Sequence, residues 1–491
     1  MPEPSAPVNG QRLGAGGNRS YPLTMLSALP QLAFSTLLTL GQIVSPSAPL
    51  EEEEPPGGGI ILIVIDTLNP TRLGCYGGPA DTPTIDSLAT AGMLYEDVWS
   101  ESTVTAPSFA SILTGRHLTG HGLLRNGDFV GTDLARLPEE LRRKGYRTAA
   151  FVSNGEVDSG FGFYRGFELY DDRLTHPERN RSYVFERLAP ETVARALDWL
   201  GIVRHKFFFV ALHLNDPHGP YDPVAGWPAK RTRGKRLKMS RDNFPRGAIP
   251  AYQSLPERNK REDYLASYDA EIEQVDRALA TLFSGMRSLH LTERSVVVLT
   301  ADHGESLGGN ALYFQHGSSL YEEQLRVPLI FSGPSLLRGR SKYPASTLDI
   351  MPTILAAAGL RLPGLDGKSL LPELTGRAGI PIEPRWRHAI LSAPLRPRVD
   401  GQWTLIRAVS KEGWKLIRDR RRHRQELYDL SSDPAEARNL ARRSKYREKL
   451  KELDALLTDW EVRHPIPDRW KHRWLPPAKE QMRLRALGYM D

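Results

Sequence analysis

Gly59-Ile60-Ile61-Leu62-Ile63-Val64-Ile65-Asp66 is an unbroken apolar run that ends on a carboxylate. A strand exposed on one face alternates apolar and polar residues, whereas a run without alternation suits a central parallel strand buried on both faces. Similar runs recur over residues 147–153, 206–214, 295–301 and 327–332, with helix-like segments between them at 84–91, 133–144, 190–200 and 262–286. This alternation predicts an α/β fold, a three-layer α/β/α sandwich around a large, mostly parallel sheet. Polar residues directly after such strands fall at the carboxyl edge of the sheet, where these folds bind ligands. Asp66 follows the first run and Asp302 follows the run at 295–301, so both land where a site is expected.

Downstream, 349–359 reads as a further helix and 364–376 as a loop and short helix closing the main domain. The texture then changes near residue 385. Paired strands are expected at 403–409 and 413–418 and another at 426–430, then a helix opening at Asp433-Pro434-Ala435-Glu436, its proline near the start, and an amphipathic helix over 446–462. Upstream, residues 1–22 are rich in Pro, Gly, Ser and Asn and read as disordered. Residues 23–44 are moderately apolar, but Pro30, Gln31, Gly41 and Gln42 interrupt them too often for a membrane span. Arg12 and Arg19 ahead of this stretch and Ser45-Pro46-Ser47-Ala48 behind it fit a secretory signal peptide, while the prolines around the would-be cleavage point argue against one. Localisation stays open between a periplasmic or secreted protein and a cytoplasmic one. Residues 51–59, with four Glu, two Pro and three Gly, read as a linker. The expected organisation is a disordered N-terminal segment and linker over 1–58, a catalytic domain over 59–385, and a small C-terminal α+β subdomain over 386–491 with an antiparallel sheet and helices.

A chain of 491 residues with 40% apolar content can bury a large core. The net charge is +7, with basic clusters at 230–236, 418–424 and 442–445 that read either as solvated loops or as a field steering an anionic substrate. No nucleic-acid-binding motif accompanies them, so nucleic acid is not an expected partner. Cys75 is the only cysteine, which rules out an intrachain disulfide and a cysteine-rich zinc site. It reads as a packing residue.

Three stretches carry candidate chemistry besides Asp66, a hard oxygen ligand if it is not a turn cap. Asp302-His303-Gly304-Glu305 leaves a strand end, so Asp302 and His303 can both turn toward one ion, with Glu305 orienting His303 or capping the next turn. Thr105-Ala106-Pro107-Ser108-Phe109 leads to Leu113-Thr114-Gly115-Arg116, and locally Thr105 reads as a helix N-cap. His213-Leu214-Asn215-Asp216-Pro217-His218 follows a strand, with His213 read as a satisfied core histidine and His218 as an imidazole suited to acid–base work.

These motifs, in this order, resemble those of the sulfatase family within the alkaline phosphatase superfamily, and a bacterial subgroup with Phe-Val-Ser-Asn at 151–154 most of all. The family signature is Cys/Ser-x-Pro-Ser-Arg-x-x-x-Leu-Thr-Gly-Arg/Lys. Here Thr105 holds the nucleophile position and Phe109 the arginine position. Sulfatases oxidise the Cys or Ser to formylglycine, which a threonine cannot become. The resemblance implies Asp66, Thr105, Asp302 and His303 as ligands of one divalent ion (Ca²⁺, Mg²⁺ or Mn²⁺, with Zn²⁺ tolerated), Thr105 as nucleophile, and His218 and His316 near the leaving group. It also implies Arg116 as a basic residue steadying the nucleophile region, and His121 and Asn126 on a substrate-side loop. Two further departures are Thr67, where the family often has a second acid, and the absence of the anion-gripping Lys and His after strand 147–153.

The implied activity is metal-dependent hydrolysis of sulfate or phosphate esters on an anionic small molecule or glycan. A sulfated formylglycine hydrate can expel sulfate from a hemiacetal; a sulfothreonine has no such exit, whereas a phosphothreonine beside a metal can be attacked in line. Thr105 therefore favours a phosphoester. A slow sulfatase without formylglycine and a non-catalytic binding protein remain as alternatives.

Overall fold

The computed structural model describes residues 58–466, apart from 132–133, 224–233, 235, 243, 256–257, 377–385 and 395–402. The disordered, signal-peptide and linker readings of 1–57, most of the basic cluster at 230–236 and the boundary near 385 lie outside the described residues.

The main sheet contains, in chain order, β1 (Gly59–Ile65), β2 (Met93–Tyr95), β3 (Arg147–Val152), β4 (Leu169–Asp171), β5 (Phe208–Leu214), β6 (Ser295–Ala301), β7 (Leu329–Ser332) and β8 (Gly339–Ser341). Across the sheet they run β8-β2-β7-β6-β1-β5-β3-β4. Only β7 runs against its neighbours, β6 and β2. β1 lies at the centre, and its side chains from Ile60 to Ile65 are all buried, as its unbroken apolar composition requires. Gly59 is required by close approach, since a Cβ there would sit 2.2 Å from the Phe208 ring on the neighbouring strand.

Helices α1 (Pro83–Thr90), α2 (Thr105–Thr114), α3 (Leu137–Arg143), α4 (Ala189–Val203), α5 (Arg261–Ser288) and α6 (Ile350–Ala357) form the outer layers. α1 and α4 pack on α5, while α2, α3 and α6 pack on one another. The expected helix over 133–144 shrinks to α3. Arg136 is extended and its buried guanidinium donates to the carbonyls of Gly131 (2.9 Å) and Val130 (3.3 Å), which commits the preceding chain to a loop.

Register fixes the site. Ile65 pairs with Ala301 on one side and Leu214 on the other, and Val152 pairs with His213. The residues that follow, Asp66, Asp302, Asn215 and Ser153-Asn154, therefore emerge side by side at one carboxyl edge.

The C-terminal sheet consists of β9 (Arg387–Pro394), β10 (Trp403–Lys411), β11 (Trp414–Asp419) and β12 (Arg424–Asp429), antiparallel in that order. The sequence reading did not anticipate β9. Helix α7 (Arg447–Arg463) covers the sheet, with Leu453 and Leu457 against Val409, Leu416 and Leu427. The helix expected at Asp433 does not form. Asp433 turns its carboxylate onto the amides of Ala437 (3.0 Å) and Arg438 (2.9 Å), Glu436 has φ +53°, and Asn439 accepts from Leu427 N (3.0 Å), so side chains take up the groups a helix would pair. No described helix is long and apolar enough to cross a membrane.

One buried cation braces the site's outer wall. Arg187, 0% exposed, donates to Val152 O (2.8 Å), Thr192 Oγ1 (2.9 Å) and Asp171 Oδ1 (3.0 Å), tying β3 and β4 to α4 just before Ser153-Asn154. Replacing it by an apolar side chain leaves Asp171 under-compensated. Arg187→Met is expected to cost about 3 kcal/mol, seen as a lower urea midpoint with an unchanged m-value.

Candidate active site

Asp66, Asp302 and His303 are fully buried and each brings one ligand atom within 4.8 Å of the others. His303 Nε2 stands 3.7 Å from both Asp66 Oδ1 and Asp302 Oδ2. The outer carboxylate oxygens are satisfied: Asp302 Oδ1 accepts from His303 N (2.8 Å) and Asp66 Oδ2 from Asn154 Nδ2 (2.8 Å). The inner ones, Asp66 Oδ1 and Asp302 Oδ2, have no hydrogen-bond partner. Burial, reinforced by the nearby Asp302 charge, raises the Asp66 carboxyl well above the usual carboxylate range. Two bare carboxylate oxygens facing one imidazole in a dry interior form a cradle for a cation, so these residues fit a divalent ion.

The chain is strained where it leaves β1. Thr67 has φ +56°, a left-handed conformation that a β-branched residue rarely adopts. Tyr268 of α5 clamps this turn, donating to Thr67 O (2.6 Å) and accepting from Asn69 N (2.9 Å). The Thr67 amide is thereby turned toward Asp302 Oδ1 (3.3 Å).

Thr105 is the first residue of α2 and its side chain caps nothing; Val104 precedes it in extended conformation. This corrects the N-cap reading. The capping is done by Asn126, whose Oδ1 accepts from Ala106 N (3.0 Å). Thr105 Oγ1 is directed at the cluster instead, 3.3 Å from His303 Nε2, with Thr105 only 1% exposed. Glu156, in the turn after β3, also faces the Thr105 hydroxyl. Burial, opposed by His316 and Arg181, pushes the Glu156 carboxyl up to about 7.

The other histidines lie toward this point, their rings tilted to one another. Ring centroids are 4.7 Å apart for His303–His316 and 5.0 Å for His316–His218. The expectation that Glu305 orients His303 or caps the next turn gives way: its carboxylate lies 3.3 Å from His316 Nδ1 and accepts from Tyr221 OH (3.0 Å). His303 Nδ1 is instead held by Gly304 O (3.0 Å). Burial opposes charge on His316, but Glu305 prevails and raises its pKa above the ordinary imidazole value. Burial, with His316 nearby, holds His218 well below that value and therefore neutral.

His213 is buried but not satisfied. Neither ring nitrogen has a hydrogen-bond partner, and Nε2 lies 3.6 Å from Asp302 Oδ2. Its ring meets Phe109 edge-on at 5.1 Å.

Thr105, Asp66, Asp302, His303, His316 and His218 thus converge. Arg116 does not join them: it follows the far end of α2 and packs over Gly120 and Gly364. His121 braces α2 by contacting Ser111 Oγ (2.9 Å). Cys75 is partly buried against the main core, and burial together with Asp86 pushes its thiol up to about 12, far from reactive. Sequence reasoning missed Glu156, Asn215 and the Asp302-facing His213.

The sulfatase family model matches residues 59–360, and a second model, the C-terminal part of N-sulphoglucosamine sulphohydrolase, matches 309–463. The chain is 24% identical over 470 residues to the uncharacterized sulfatase YidJ of Escherichia coli, covering 86% of this chain and 91% of that one. It is 25% identical to a Delta 4,5-hexuronate-2-O-sulfatase of Bacteroides thetaiotaomicron, covering 81% and 87%. Among solved structures, the phosphonate monoester hydrolase of Agrobacterium radiobacter superposes with TM-score 0.68 at 19% identity, over 84% of this chain and 96% of that one. Since the first model alone spans the whole main sheet and every converging residue, the chain belongs to the sulfatase family of ester hydrolases.

Proposed function

We propose that this protein is a metal-dependent hydrolase of sulfate or phosphate esters with Thr105 as nucleophile, and that a phosphoester is its better substrate. The observation that carries this reading is the direction of the Thr105 hydroxyl, away from its own helix and into the Asp66–Asp302–His303 cradle. Relatives named as sulfatases and fold neighbours named as phosphonate monoester hydrolases keep both ester classes in play. The chemistry of threonine decides between them: a phosphothreonine can be hydrolysed in line, and a sulfothreonine lacks the hemiacetal exit.

One divalent ion (Ca²⁺, Mg²⁺ or Mn²⁺, or Zn²⁺) held by Asp66, Asp302, His303 and Thr105 would neutralise charge on the ester oxygens and acidify the threonine hydroxyl. The chain's own residues do the rest. The N-terminus of α2, where Thr105 sits, turns the positive end of its dipole toward the anionic group. Asn154 holds Asp66 so that one oxygen stays bare. His316, whose pKa Glu305 raises, offers a proton on the leaving-group side. Neutral His218 packs beside it and bounds the leaving-group pocket. Arg116 acts at a distance, as a positioning residue behind α2. The substrate is an anionic ester of a small molecule or glycan.

Turnover of p-nitrophenyl phosphate, bis-p-nitrophenyl phosphate and p-nitrophenyl sulfate, each with added Ca²⁺, Mg²⁺, Mn²⁺ or Zn²⁺, tests the reading. At least one phosphate ester is expected to exceed the sulfate. Thr105→Ala is expected to lower kcat by about a thousandfold or more, and Thr105→Ser to retain much of it. Unchanged turnover in Thr105→Ala would dismiss the nucleophile, and silence on all three esters would leave a binding protein.

Metal binding has a readout of its own. An ion at a hundred times its Kd is expected to stabilise the wild type by about 2.7 kcal/mol. Asp66→Asn should lose that response yet melt higher than metal-free wild type, because it removes one of two buried like charges. A metal response that survives Asp66→Asn would remove Asp66 from the ligand set.

A further inference from the structure

A second cluster of ligating side chains lies where the main domain meets the C-terminal sheet. Glu101 precedes α2, His117 follows it and His388 belongs to β9; one ligand atom from each lies within 4.8 Å of the others. His117 comes just after the last turn of α2, whose ten residues span about 15 Å, so it lies at the end of the helix away from Thr105.

One buried polar group here, His388, lacks a partner. Glu101 and His388 are each 2% exposed. Glu101 Oε2 touches His117 Nδ1 at 2.6 Å, and Glu101 Oε1 accepts from Ser346 Oγ at 2.7 Å. His388 has no hydrogen-bond partner on either ring nitrogen. Its face is taken by Trp460, stacked at 3.5 Å, which leaves the nitrogens at the ring edge. An unpaired buried polar group costs about 1–3 kcal/mol, so an occupant that takes a lone pair from His388 would remove a standing penalty. The cations facing His388 are themselves paired: Arg407 lies 3.3 Å and Arg418 2.8 Å from the two oxygens of Glu461, and Arg418 also reaches Asp454 at 2.6 Å.

We propose that Glu101, His117 and His388 form a second metal site, separate from the Asp66–Asp302–His303 centre, that takes a late first-row divalent ion of the Zn²⁺ type. Two imidazole nitrogens and one carboxylate oxygen in a closed pocket suit Zn²⁺, whereas Ca²⁺ and Mg²⁺ require six or more oxygens. The ion would lie between Glu101 and His117 in place of their direct contact. Ser346 steadies the carboxylate from behind. Two ligands come from the main domain and one from β9, so the ion ties the C-terminal sheet to the base of α2 and strengthens that contact.

The test uses the full-length protein, stripped by chelator and titrated with Co²⁺ and then Zn²⁺. Asp302→Asn, which disables the first centre, is expected still to bind about one equivalent of Co²⁺ with the intense visible absorption of a tetrahedral site, and to melt higher with Zn²⁺ but not with Mg²⁺. Both responses should vanish in Asp302→Asn combined with His388→Gln. Ser346→Ala, which removes no ligand and is a milder change if His388→Gln folds poorly, should weaken Zn²⁺ binding by about 10-fold or more. Absence of tight Co²⁺ or Zn²⁺ binding in Asp302→Asn overturns the proposal. So does binding that survives His388→Gln but is lost in His464→Gln, which would move the ion to the partly exposed group of His117, Asp366 and His464. Failure of the ester-hydrolase reading would leave all these measurements unchanged.

Discussion

The pair of buried carboxylates at the ends of β1 and β6 is the constraint to which the rest of the site answers. Strand register sets Ile65 opposite Ala301, and the next residue on each strand is an aspartate. Two like charges so placed in a dry interior destabilise the fold unless a cation or a proton joins them. The surrounding residues do not quench the pair; they hold it open. Asn154 and the His303 amide satisfy the outer oxygens, Tyr268 clamps the strained turn at Thr67, and the inner oxygens stay bare. Strain of that kind costs about 1–3 kcal/mol and persists only where neighbours over-determine it. The protein spends stability here to keep a charged cavity of fixed shape.

The constraint was also the most legible part of the chain. An unbroken apolar strand announces its own burial, and the first polar residue beyond it announces the sheet edge, so Asp66, Asp302 and His303 could be read from one dimension. Glu156 and Asn215 could not, because their place depends on which strands neighbour β1, and order across a sheet is not written in any one strand. His213 was misread for a related reason. It lies on a buried strand like any core residue, and only the Val64–His213 pairing and the β6 neighbour turn it toward Asp302. Glu305 was assigned to the histidine nearest in sequence, whereas the fold delivers His316, eleven residues on, to its carboxylate. The absent helix at Asp433 failed on local chemistry. Proline near a helix start is a good signal, but an aspartate that bonds the following amides offers the backbone an equally good turn.

The departures from the family pattern gain sense when their charges are taken together. Thr67 stands where the family often has a second acid, and Phe109 where it has an arginine. Both positions border the same cradle: the Thr67 amide donates to Asp302, and the Phe109 ring meets His213, whose other side faces Asp302. Losing one anion and one cation from one low-dielectric pocket leaves its net charge unchanged, whereas losing either alone would leave a buried charge uncompensated, a cost of several kcal/mol. Phe109 also fills the space with apolar contact, its ring tilted against Phe163 with centroids 5.6 Å apart.

Threonine at position 105 is consistent with that exchange. A hydroxyl without a neighbouring arginine needs another means of staying in one orientation. A β-branched side chain has few rotamers open to it at a helix start. Asn126 ties down the first turn of α2, and the burial of Thr105 removes competing water. Fixed geometry then replaces the arginine's charge in aiming the hydroxyl at the cradle. Thr67, Thr105 and Phe109 thus border one pocket, whose charge rests on Asp66 and Asp302.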